Sequence, residues 1–252
     1  MLLKRTFLSA AIAFGLMSTA GIAADHGSHS WGYDAKNGPA QWGDLKAEYA
    51  ACKSGKAQSP IDIAGTVPAD LEAIKFDYRA TPLKLIDNGH TIQANYGKGS
   101  SITVNGKRYD LIQVHFHQPS EEKVDGQAYP MDAHLVHKSQ DGELAVVAVL
   151  MKEGKENLFL QTLWENTPKK QGKEAAIKDT WIHLANLLPK TRSYYAFAGS
   201  LTTPPCSEGV SWMVMTTPVE MSKQQIKAFG KYYSHNARPV QPLNGREIRV
   251  SR

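Results

Sequence analysis

Cysteine is scarce in this chain: Cys52 and Cys206 are the only two in 252 residues. Two cysteines permit at most one disulfide, and neither lies near the histidine-rich stretch that dominates the middle of the sequence. Long apolar runs are also missing. Beyond residue 24 nothing approaches the roughly 20 apolar residues that a membrane-spanning helix needs. Charge of one sign does not accumulate either. The formal charge is +5 with acids and bases interspersed, which argues against nucleic acid as a partner. Internal repeats, low-complexity tracts and linkers are absent, so one domain is expected.

The start of the chain has its own pattern. Met1-Leu-Leu-Lys-Arg5 is basic, and the run from Thr6 to Ala24 is apolar and ends in small residues. This reads as a secretory signal peptide over 1–24, cleaved after Ala23 or Ala24, with the mature chain at 25–252. Its apolar core is too short for a comfortable membrane anchor. Removing Lys4 and Arg5 lowers the formal charge from +5 to +3. The expected location is therefore the periplasm or the exterior, where a single Cys52–Cys206 bridge is the natural inference. Cleavage after Ala23 would leave Ala24-Asp25-His26 at the terminus, a pattern able to bind Cu(II) or Ni(II), although a plain polar terminus is the favoured reading.

The decisive stretch is Gln113 to His137. His115 and His117 stand two apart among Leu111, Ile112, Val114 and Phe116, a composition that favours a strand. On a strand such residues share a face about 6.7 Å apart, so two imidazoles can converge on one metal. Asp125-Gly126 marks a turn, Pro130 limits where the next strand begins, and Met131-Asp-Ala-His-Leu-Val-His137 returns as an antiparallel neighbour. His134 and His137 face opposite ways, so only one can be the third ligand. Asp132 shares a face with His134 and could fix its ring, which favours His134. Three neutral nitrogens without cysteine point to Zn2+ with one open position, an arrangement that activates water at neutral pH.

Elsewhere strands predominate. Leu83–Ile86 precedes Asp87-Asn-Gly89, Ile102–Val104 runs into the hairpin signal Asn105-Gly106, and Leu144–Met151 reads as a buried central strand. Gln58–Ile63 is expected to begin the sheet. Helical spacing is confined to Asp44–Cys52, Asn157–Asn166 and the segment after the capping box Ser222–Gln225. The fold class is mainly β (α+β): one domain on a large twisted, mostly antiparallel central sheet with short peripheral helices.

Taken together, His-Phe-His at 115–117, Ser120-Glu121, Ala-His-Leu-Val-His at 133–137 and Gly-Ser-Leu-Thr-Thr-Pro-Pro-Cys at 199–206 resemble the alpha-class carbonic anhydrases of bacteria. The resemblance runs from Trp31-Gly-Tyr33 to Arg238-Pro-Val-Gln-Pro-Leu243. It implies reversible hydration of carbon dioxide to bicarbonate by zinc-bound hydroxide. His115, His117 and His134 would hold zinc, Thr202 and Glu121 would orient the hydroxide, and His90 would shuttle protons. Gln113, Asp132 and Asn236 would steady the three histidines. Val136, Val146, Leu201 and Trp212 would receive carbon dioxide, and Thr203 would contact bicarbonate. Tyr33, Asn88 and Gln93 would order the proton-carrying water. The resemblance also implies the Cys52–Cys206 pairing and cis bonds at Ser59–Pro60 and Pro204–Pro205. Related bacterial enzymes are often dimers, so the resemblance admits a homodimer, although the sequence itself does not give the oligomeric state.

Three positions depart from the family pattern. Asp132 stands where glutamate is usual, one methylene shorter, which predicts a longer or shifted contact with His134. On that basis Asp132→Glu would tighten zinc retention. Glu122 replaces a frequent histidine and is expected to disturb the charge on Glu121. Ala237 replaces a tryptophan common in animal members. Rival readings are weaker. A metallo-β-lactamase-like hydrolase would need acidic or cysteine ligands where Gln118-Pro119 stands. A metal-free binding relative would lack a ligand histidine, and a periplasmic zinc carrier would leave no open position.

Overall fold

Alternation of apolar and polar residues along each strand decides which way the sheet faces, and here it produces two distinct faces. The computed structural model describes residues 31–252. The signal-peptide reading and the Ala24-Asp25-His26 pattern lie outside the described residues. The main strands are β1 (Val67–Ala69), β2 (Thr81–Asp87), β3 (Ile92–Asn95), β4 (Lys107–His117), β5 (Met131–Lys138), β6 (Leu144–Glu153), β7 (Ala175–Ile182), β8 (Tyr194–Ser200), β9 (Glu208–Met215) and β10 (Arg249–Ser251). Their order across the sheet is β7-β2-β3-β4-β5-β6-β9-β8-β10-β1. Lys75–Asp77, Ser101–Val104 and Val219–Met221 complete this sheet of 13 strands among the described residues. Neighbours are antiparallel except β6 with β9, β6 with Val219–Met221, and β10 with β1.

One face of the sheet carries Ile92, Ala94, Val114, Phe116, Ala133, Leu135 and their neighbours into the larger core. The helices Leu158–Glu165 and Lys223–Gly230 add Leu160, Leu163 and Phe229 to that core. Asn157 caps the first helix, and Ser222 and Gln225 form both bonds of a capping box on the second. The opposite face holds Val146, Ala148, Leu150, Trp212 and Val214 in a smaller core.

The tight turns follow their sequences. Asn105-Gly106 and Asp125-Gly126 both take positive φ at two successive residues, the geometry that suits a two-residue hairpin loop. Gln118–Pro119 is cis, alongside Ser59–Pro60 and Pro204–Pro205. Two expectations need correction. The stretch Asp44–Cys52 is not one helix: Trp42–Leu45, Ala47–Tyr49 and Ala51–Ser54 are separate turns, because Lys46 adopts an extended backbone between the first two. The segment after Gln58 does not open the main sheet. Its strand Asp62–Ile63 pairs with Lys123–Val124 in a separate three-stranded sheet.

A bulge sets the parity of β4. Gln113 pairs with Val136 and Leu111 pairs with His137, so Ile112 is one residue in excess. Leu111 and Tyr109 consequently join the larger core, whereas Gln113, His115 and His117 turn to the other face. His137 points into the larger core, away from His134. Its ring stacks on Tyr78 with centroids 5.9 Å apart and shares a 2.8 Å hydrogen bond with the phenol through Nε2.

Arg238, only 2% exposed, reaches into the join between the N-terminal turns and the sheet. It donates to Gln58 Oε1, the Ser59 carbonyl and the Cys52 carbonyl. Cys52 and Cys206 are bonded, closing a separation of 154 residues and tethering the 201–206 loop to those turns.

Two predictions follow from this packing. Replacing both cysteines by serine should lower stability by about 4 kcal/mol through restored freedom of the unfolded chain; an unchanged denaturant midpoint contradicts this. Burial pushes the His137 imidazole down to about 4. Because that folded value is depressed below the ordinary 6.5, the unfolded chain binds the extra proton between those limits. The contribution is full above pH 6.5 and is lost as pH falls toward 4, amounting to about 3 kcal/mol. Unfolding titrations of His137→Gln between pH 7 and 4 should lose that share of the slope, and a slope equal to wild type would count against the assignment.

Candidate metal centre

Register alone assembles the centre. His115 pairs with His134, and His117 pairs with Asp132. Directly opposed residues on neighbouring strands project to one face, so the three imidazoles meet above the sheet. One nitrogen from each lies within 4.8 Å of the others. His117 Nε2 is buried and has no hydrogen-bond partner, a costly state for a polar atom unless something coordinates it. The donor set of three imidazoles, with no thiolate among them, suits zinc.

Each ring is held by its other nitrogen. His115 Nδ1 lies 2.8 Å from Gln113 Oε1, and His117 Nδ1 lies 2.7 Å from the Asn236 carbonyl. An N–H at each of these positions leaves Nε2 as a lone-pair donor. Asn236 also fixes the surroundings, accepting from the Gln118 N–H and donating to the Phe116 and His90 carbonyls. His134 is turned the other way. Its Nδ1 faces the cluster, while Nε2 lies 3.2 Å from Glu122 Oε2 and 3.4 Å from Asp132 Oδ2.

The electrostatics follow from burial. Desolvation, and then the neighbouring imidazoles, hold His115 well below its ordinary value, and His117 is pushed down to about 4. Burial also works against a charged His134, but the Asp132 and Glu122 carboxylates outweigh it and hold that ring well above its usual value. Glu121 is pushed up to about 8, chiefly by burial. Its Oε1 accepts the Arg238 backbone N–H at 2.7 Å. Its Oε2 faces His117 Nε2 at 3.5 Å and has no hydrogen-bond partner. Thr202 is buried on the loop bound to Cys206, but its hydroxyl does not bond Glu121 here. Oε2 turns to the imidazoles instead.

A cleft of about 110 Å3 opens over the histidines, lined in part by Tyr33, Asn88, His90, Gln93, His115 and Thr203. His90 stacks on Trp31 with centroids 3.6 Å apart, and burial lowers its pKa. Asn88 donates to Gln93, and Gln93 donates to Asn95. The other side of the centre is apolar. Val146 and Trp212 are buried there, with Val136 and Leu201 packed against them. The Trp212 ring meets His134 edge-on at 4.9 Å.

Sequence reasoning missed three participants. Trp31 carried no signal beyond its aromaticity, and the cis bond at Gln118–Pro119 carried only a proline. Glu122 does act on Glu121 as expected, helping to raise that carboxyl, but the contact of its own carboxylate with His134 was not foreseen. Its position directly after Glu121 was the available clue.

The comparisons agree with this geometry. The family model described as eukaryotic-type carbonic anhydrase matches residues 37–252. A carbonic anhydrase of Neisseria gonorrhoeae is 45% identical over 236 residues, covering 92% of this chain and 93% of that protein. A hyperthermostable carbonic anhydrase from a hydrothermal vent chimney superposes with a TM-score of 0.86 at 49% identity, over 88% of this chain and 100% of that one. The alpha-carbonic anhydrase of Thermovibrio ammonificans, solved with sulfanilamide, gives 0.85 at 45% identity, over 88% and 100% of the two chains. With the ligand-ready histidines, the two-faced sheet and this similarity along nearly the whole described chain, the protein belongs to the alpha family of carbonic anhydrases.

Proposed function

We propose that this chain catalyses reversible hydration of carbon dioxide to bicarbonate and a proton, with zinc held by His115, His117 and His134. The observation that carries the reading is the convergence of three imidazole nitrogens within 4.8 Å beside an apolar wall. Zinc at such a site supplies a water acidified to a pKa near 7, the established figure for carbonic anhydrases.

The remaining chemistry belongs to the protein. Val136, Val146, Leu201 and Trp212 offer a dry surface on which carbon dioxide can sit beside the attacking oxygen. With the metal bound, Thr202 would orient that oxygen by accepting a hydrogen bond from it while donating its own hydroxyl hydrogen to Oε2 of Glu121, which has no other hydrogen-bond partner. A threonine committed in this way cannot donate to the attacking atom, so it selects a protonated one. Thr203, at the cleft wall, contacts bicarbonate. His90 accepts the released proton, and its burial-lowered pKa keeps the ring neutral at neutral pH and lets the proton pass on readily to solvent. Tyr33, Asn88 and Gln93 order the water between them. A disulfide-bonded enzyme of this kind would act outside the cytoplasm, in the periplasm or after secretion, and as a homodimer.

Stopped-flow hydration of carbon dioxide tests the reading directly. Activity should vanish when a chelator strips zinc and return with one zinc per chain; hydration that survives metal removal, or its absence from the loaded protein, contradicts it. His90→Ala should lower turnover about 10²-fold in weak buffer. Added imidazole should restore it. Turnover equal to wild type in weak buffer would remove His90 from the proton path.

A further inference from the structure

Behind the third histidine lie two carboxylates, both without exposed surface: Glu122 at 0% and Asp132 at 0%. The shorter of them is already occupied. Asp132 Oδ2 accepts the Glu121 backbone N–H at 2.8 Å, and the same oxygen is the one 3.4 Å from His134 Nε2. Glu122 Oε2 approaches that nitrogen more closely, at 3.2 Å, and is its nearest carboxylate acceptor, with the Asp132 charge beside it. Its backbone is pinned as well, since the Ser120 hydroxyl donates to the Glu122 carbonyl at 2.7 Å. The side chain that reaches His134 therefore comes from the loop before β5, a segment braced within itself through Ser120 and tied to β5 through the Glu121 N–H on Asp132.

We infer that Glu122 is the positioning residue of the centre, accepting the Nε2 proton of His134 so that Nδ1 is presented to the metal, while Asp132 chiefly secures the Glu121 backbone. The two departures noted in the sequence thus compensate one another. An aspartate one methylene short leaves the imidazole under-supported, and a glutamate in place of the usual histidine supplies the missing carboxylate from the adjacent loop. Fixing the tautomer and orientation of a ligating imidazole in this way typically governs metal affinity by about 10- to 100-fold. The expectation that Asp132→Glu alone would tighten zinc retention is accordingly reversed. A second glutamate would compete for a site that Glu122 already fills, within a pocket that has no room to spare.

This inference rests on the zinc reading above, and the test separates the two. Zinc-loaded full-length protein is mixed with excess pyridine-2,6-dicarboxylate, and the rate of zinc transfer is followed. Glu122→Ala should release zinc about 10- to 100-fold faster than wild type. Asp132→Asn, which keeps an acceptor for the Glu121 N–H, should change the rate less. The double variant Glu122→Ala with Asp132→Glu should return the rate toward wild type, a rescue that a merely structural role for Glu122 would not produce. Asp132→Glu alone should not slow release. Release from Glu122→Ala at the wild-type rate, a larger effect from Asp132→Asn, or failure of the double variant to rescue would each overturn the inference. Should Glu122→Ala not fold, Glu122→Met keeps the volume and removes the acceptor. Faster release from that variant supports the inference, and an unchanged rate overturns it. Wild-type protein that holds no zinc would instead defeat the functional reading itself.

Discussion

Strand parity is the constraint on which the site depends. His115 and His134 can meet only because β4 and β5 pair in the register that sets them opposite one another. That register holds because Val114, Phe116, Ala133 and Leu135 are buried on the other face. A slip of one residue would put four apolar side chains into the cleft and the imidazoles into the core. The bulge at Ile112 extends the same logic. It lets Leu111 and Gln113 face opposite ways although they are two residues apart, so the core continues beneath a strand whose end is polar on the site side.

The same register grades the site from wet to dry. Reading across the sheet, Gln93 pairs with His115, His115 with His134, His134 with Ala148, and Ala148 with Val214. The adjacent row runs from Asn95 through Gln113, Val136 and Val146 to Trp212. Amides capable of ordering water lie on one side of the imidazoles, and a hydrocarbon wall lies on the other. A reaction that brings an apolar gas to an activated water and exports a proton needs both surfaces at one point. Burial does the rest. It strips protons from His115 and His117, and it pushes Glu121 toward neutrality unless positive charge gathers among the rings.

Much of this was legible in the sequence because it rests on periodicity and turn chemistry. The His-x-His spacing, the Asn105-Gly106 and Asp125-Gly126 turns, the capping box at Ser222 and the buried run in β6 are local signals, and the elements they predict are present. The choice between His134 and His137 was open to parity reasoning only in part, and Asp132 supplied the preference. What stayed hidden depends on long-range placement. No local pattern reports that Ile112 is one residue too many, since that depends on the partner strand. Lys46 breaks the run Asp44–Cys52 through backbone geometry that helical spacing does not record. The contact from Glu122 to His134 joins a loop to a strand, and linear spacing on either element could not reveal it.

The central claim is that three imidazoles, from two adjacent strands, bind one zinc and leave a fourth position for water. X-ray absorption at the zinc edge of the loaded protein tests it most directly. The account predicts three nitrogen scatterers with imidazole signatures at about 2.0–2.1 Å and one further light atom. A shell with fewer than three imidazoles, or with carboxylates replacing them, would contradict it.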